Sequence, residues 1–113
     1  MDPRTEDITD KQRIRELQNH YSYSIDSGKY DNLDAIFTPN ATYHFVTGST
    51  DNIKALKTTI RDALSPLTAS QHINGNQWSE IEGDFAKAGC YFTVHMYKKG
   101  LADGEHFEMA GRY

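Results

Sequence analysis

Apolar residues recur at intervals of three and four near the start of the chain, where Ile14, Leu17, Tyr21 and Ile25 form one stripe. That period predicts an amphipathic helix. Thr9 is placed as its N-cap, with Gln12 three residues later in capping-box spacing, and Gly28 supplies a left-handed stop. A second short helix is predicted over residues 31–37, closed by Thr38-Pro39. The run ATYHFV, residues 41–46, reads as a strand followed by a turn at Gly48, because aromatic and β-branched side chains suit a pleated, half-buried surface. The helical period returns at Ile53, Leu56, Ile60 and Leu64 (or Ala63), and Pro66 closes it. Beyond Pro66 three strand-like runs follow, residues 71–82, 85–98 and 105–113, separated by Glu82-Gly83-Asp84 and by KKGLADGE. Helices first and an antiparallel meander afterwards predict an α+β fold rather than βαβ units.

The length of 113 residues fits one domain around a single core. The 16 acidic residues outnumber 12 basic ones, and the basic ones are scattered, which argues against a nucleic-acid partner. No window approaches the roughly 18 apolar residues of a membrane span, so no membrane partner is expected. The opening MDPRTEDITD is acidic and polar, unlike a secretory signal, so a cytoplasmic location is expected. Cys90 is the only cysteine; it has no internal disulfide partner, and its apolar neighbours mark a buried structural thiol. The last strand runs to Tyr113 with no cap or tail after it. The sheet is therefore expected to be completed by a partner subunit or by a longer parent chain.

Candidate chemistry begins with Asp26, which flanks the buried stripe at the end of the first helix, where the helix dipole disfavours an anion. A carboxylate there can hold a histidine, fixing its tautomer. Among five histidines, His20 lies beside polar residues and is expected to be exposed, and His44 faces away from Tyr43 and Phe45. His95 and His106 fall in adjacent strands, but no third ligand stands at a recognisable spacing, and no metal is expected. His72 begins a strand whose alternation puts Asn74, Asn76 and Trp78 on its face. Such a half-polar, half-aromatic face suits a ligand cavity, or the exposed side of an antiparallel sheet.

Three segments in order, YSYSIDSGKYDNLDAIFTPNATYHF, SQHINGNQWSEIEGDFAKAGCYF and FEMAGRY, resemble the SnoaL-like branch of the nuclear-transport-factor-2-like superfamily. The resemblance implies a cone-shaped α+β barrel, with N-terminal helices on a curved antiparallel sheet enclosing a pocket, assembled as a homodimer or homotrimer. It also implies that the family's last strands are missing from 1–113. Within the superfamily the chain looks most like cofactor-independent dehydratases, dehydrochlorinases and isomerases. Asp26 and His72 match their catalytic pair, and Tyr21 matches a tyrosine that hydrogen-bonds a substrate oxygen. Tyr43, Asn74 and Trp78 are the expected substrate-binding residues. The function so implied is a lyase or isomerase of the dehydratase type, acting without cofactor on a small hydrophobic polyketide, steroid or terpenoid-like molecule. The alternative is a non-catalytic ligand-binding or oligomerisation module of the same fold.

Overall fold

The computed structural model describes residues 3–45, 48–100 and 105–113, with side chains from residue 8 onward. Helix α1 spans Pro3–Asp26, followed by a 3₁₀ helix, Tyr30–Ala35. Two three-residue strands, β1 (Tyr43–Phe45) and β2 (Gly48–Thr50), form a small antiparallel pair before helix α2, Ile53–Leu64. Strands β3 (Ala69–Glu82), β4 (Phe85–Tyr97) and β5 (His106–Arg112) make an antiparallel sheet in chain order. This is the α+β order that the periodicity predicts. Val46 of the expected first strand and residues 101–104 of the expected turn lie outside the described residues.

Helix α1 begins at Pro3, not Thr9, so the capping-box spacing lies inside the helix; proline suits a first helical turn, whose N–H groups have no intrahelical acceptor. Gly48 opens β2 rather than forming a turn alone. At the other end of α1, Lys29 N–H donates to Ser24 carbonyl at 2.9 Å and Gly28 N–H to Ile25 carbonyl at 3.3 Å. Gly28 has φ 69°. These paired bonds around a left-handed glycine form a Schellman stop, which leaves Asp26 as the last helical residue.

The core gathers Tyr21, Ile25, Leu33, Leu56 and Ile60, with Phe37, Tyr43, Ile53 and Leu64 packed against it. Asn52 caps α2 by accepting from Ala55 N–H at 2.8 Å. Leu17 departs from the expected stripe and is exposed. The physical reason is that α1 meets β3 through amides rather than alkyl groups. Asn74 Nδ2 donates to Ser22 Oγ at 3.0 Å, and Gln77 Nε2 donates to Asn19 Oδ1 at 3.0 Å and Gln18 Oε1 at 3.1 Å.

Strand β3 carries an irregularity that reassigns its faces. Gly75 pairs with Tyr91 but Trp78 pairs with Gly89, so Asn76 and Gln77 together oppose Cys90. Asn76 takes the extra step at φ 50°, a left-handed conformation that asparagine tolerates better than most residues. Side-chain alternation reverses across such a bulge. Ser70, His72, Asn74 and then Gln77 turn toward α1, whereas Trp78 turns to the opposite face, where it lies over Gly89. The expected grouping of Asn76 and Trp78 with His72 is therefore corrected.

Candidate active site

The Schellman stop and the start of β3 bring Asp26 and His72 together. His72 Nδ1 lies 2.7 Å from Asp26 Oδ1, Ser70 Oγ donates to the same oxygen at 2.7 Å, and His72 backbone N–H donates to Asp26 Oδ2 at 2.6 Å. The pair is largely enclosed, with 8% of the His72 side chain and 17% of Asp26 exposed. Burial alone works to raise the Asp26 pKa, but hydrogen bonds from the His72 ring, the His72 N–H and Ser70 outweigh it and hold the carboxyl below its ordinary value. An ionised carboxylate only accepts hydrogen bonds, so Nδ1 carries a proton, and in the neutral ring Nε2 is then the nitrogen with the lone pair.

The sign of that shift has a consequence in acid. A carboxyl whose pKa is lowered by folding contributes stability above its unfolded value, near 3.8, and loses it as pH falls through the lower folded value. Unfolding midpoints measured from about pH 5 to 2 are therefore expected to fall more steeply in the native protein than in Asp26→Asn. Equal slopes would mean that the three hydrogen bonds do not stabilise the ionised Asp26 carboxylate in the folded protein.

Beside the pair stands an aromatic wall. Tyr21 and Tyr43 hydroxyl oxygens are 2.9 Å apart. Tyr113 also hydrogen-bonds Tyr21, so the three hydroxyls share two bonds and one of their three protons is left for a ligand. Tyr21 also meets Phe37 and Tyr113 edge-on, at 5.9 Å and 5.8 Å between ring centroids. Phe92 stacks on Tyr113 at 4.5 Å and lies 6.1 Å from the His72 ring. Burial pushes the Tyr43 phenol up to about 12, and burial likewise raises Tyr21 and Tyr113. At neutral pH all three are protonated, so they act as hydrogen-bond donors and not as bases.

Of the residues singled out from sequence, Asp26, His72, Tyr21 and Tyr43 converge here. Asn74 shares the His72 face, but its amide is spent on Gln18, Asn19 and Ser22 of α1, which makes it a strut between helix and sheet. Trp78 is 51% exposed on the other face. It borders a separate cavity of about 500 Å³ with Asn76, Cys90, Tyr91, Arg112 and Tyr113. Tyr113 is the residue common to that cavity and the tyrosine cluster. Ser70, Phe92 and Tyr113 were missed from sequence. Ser70 was findable, since it sits two residues before His72 and so on its face; Tyr113 carried no local signal.

An enclosed carboxylate–imidazole pair under a tyrosine wall, on a helix-covered antiparallel sheet, defines a small α+β domain with acid–base potential. The chain belongs to the SnoaL-like domain family, whose match covers residues 6–113. It is 30% identical over 84 residues to an uncharacterised protein of Mycobacterium tuberculosis. That match takes in 73% of the chain, and the chain spans 57% of the relative's length. A Novosphingobium aromaticivorans structure provisionally named a scytalone dehydratase superposes with TM-score 0.83 at 16% identity, over 95% of this chain and 72% of that one. A nuclear-transport-factor-2-like superfamily protein of Salmonella enterica gives 0.81 at 18%, over 92% and 75%. Likeness at this identity shows the fold alone, an α+β fold of the kind seen in the Salmonella NTF2-like protein. Among the described residues no helix is long and apolar enough to cross a membrane.

Proposed function

We propose that the chain is a cofactor-independent lyase or isomerase, with dehydration of a small, largely apolar β-hydroxy carbonyl compound as its reaction. The observation that carries this reading is the 2.7 Å contact between His72 Nδ1 and an ionised Asp26, which leaves Nε2 as an oriented base. In the reaction His72 Nε2 takes the acidic proton next to the carbonyl. The electrons of that C–H bond form the new C=C as the C–O bond breaks. The imidazolium, stabilised by Asp26, gives its proton to the departing hydroxide, so water leaves and the ring returns to its starting state. The one proton left over in the Tyr113–Tyr21–Tyr43 chain holds the substrate oxygen, stabilising the charge that develops there. The same machinery without a leaving group would shift a double bond, which is why isomerisation belongs to the same proposal.

Aromatic and alicyclic β-hydroxy ketones are the test set, with turnover read from the ultraviolet absorbance of the enone. His72→Ala is expected to abolish turnover to within background, and Tyr21→Phe to lower kcat by about 10² to 10³-fold with ligand binding retained, as for loss of one donor to a developing oxyanion. A protein that binds these ketones but converts none of them is a carrier, and the elimination reading falls.

A further inference from the structure

The opposite face of the sheet holds a second cluster of chemistry-bearing side chains. His95 on β4 pairs directly with Glu108 on β5, and His106 precedes Glu108 by two residues, so all three project from one face. His95 Nδ1 lies 3.2 Å from His106 Nε2 and 3.0 Å from Glu108 Oε1. Ligand atoms of the three residues all fall within 4.8 Å of one another. His72 pairs with Val94, the neighbour of His95 in the strand, so the cluster points away from the Asp26–His72 pair.

These spacings match a metal polyhedron. Bonds of about 2.0–2.1 Å to a tetrahedral ion place neighbouring ligand atoms about 3.3 Å apart, close to the 3.2 Å and 3.0 Å seen here. The two imidazole rings are nearly parallel, 8° apart, with centroids at 5.3 Å. Their nitrogens are thus about 2 Å closer than their centres, which means the rings meet nitrogen to nitrogen rather than face to face. Lone pairs so directed share an ion after modest rotation of each ring about its Cβ–Cγ bond. Two imidazoles and one carboxylate suit zinc, nickel, cobalt or copper, whereas calcium and magnesium prefer sets made of oxygen alone. Three protein ligands leave a fourth position open to water.

We propose that His95, His106 and Glu108 form a surface site for one divalent transition-metal ion, which clips strand β5 to β4. The clip has a structural use. Strand β5 is exposed along its length and, among the described residues, pairs on one side only, with β4. It leads directly into Tyr113, which touches Tyr21. The proposal is independent of the elimination chemistry.

The test titrates the full chain, stripped with chelator, with nickel or zinc in a calorimeter. One ion per chain is expected. His106→Ala and Glu108→Gln are each expected to weaken binding by at least the roughly 10 to 100-fold that outer-shell partners of a metal site are worth. His20→Ala and His44→Ala should leave affinity unchanged, and Glu108→Gln preserves side-chain shape if His106→Ala disturbs the strand. Paramagnetic broadening by nickel should centre on His95 and His106 in the NMR spectrum. Broadening centred on His72, undiminished binding in a His95→Ala, His106→Ala double variant, or no binding by millimolar metal would each overturn the site and leave a hydrogen-bonded trio that holds the strand edge.

Discussion

Replacing Asp26 by asparagine is expected to cost about 10² to 10⁴-fold in turnover on any β-hydroxy ketone the protein dehydrates, while the chain still folds. The reason lies in which of the three bonds to Asp26 can reverse. The backbone N–H of His72 only donates, so the asparagine carbonyl must face it. The amide NH₂ then falls where Oδ1 was, against Ser70 Oγ and His72 Nδ1. A hydroxyl and an imidazole can both turn acceptor; the ring does so by moving its proton to Nε2. The nitrogen that should take the substrate proton is thereby already protonated. Loss is expected in kcat, with substrate affinity nearly kept, because neither the tyrosines nor the apolar wall is touched. Turnover within threefold of native would mean that the proton leaves by another route.

The second large effect concerns what holds the helices over the site. Leu33 and Leu56 are fully buried and meet in the cluster that also contains Tyr21 and Ile25. Leu56→Ala is expected to destabilise the protein by about 2–5 kcal/mol, since a fully enclosed leucine loses its transfer energy and leaves a cavity. Urea unfolding of the two proteins measures this directly. A loss below about 1 kcal/mol would show that α2 packs loosely and that the site is fixed by the sheet alone. Lys57, which reaches Asp34 at 2.9 Å and Asp31 at 3.4 Å, ties the same helix to the 3₁₀ helix from the surface.

Much of this was legible in the sequence wherever one periodicity ran unbroken. Ile53, Leu56, Ile60 and Leu64 kept the helical period and bury as one stripe against the 3₁₀ helix. The three-strand meander followed from alternation and turn chemistry. Reading failed where periodicity is silent or misleads. Nothing in ITDKQ distinguishes a cap at Thr9 from a helix that began at Pro3. The bulge at Asn76 and Gln77 has no strong local signature, yet one inserted residue moved Trp78 off the His72 face and put Gln77 there. The carboxamide of Asn74 was correctly placed on the face, but its destination depended on which helix residues lay opposite. Glu108 was findable on the His106 face, two residues along the strand, but its place directly opposite His95 depends on register between strands, which is not written in spacing along one strand.

If Asp26 fixes the His72 ring, the neutral imidazole has Nδ1 protonated and Nε2 bare. Nitrogen-15 NMR of the histidine rings, at a pH where His72 is neutral, measures this most directly in native protein and in Asp26→Asn. A bare Nε2 is expected in the native protein and a protonated Nε2 in the variant. A native His72 that carries its proton on Nε2, or a ring indifferent to the substitution, would mean that Asp26 does not set the tautomer.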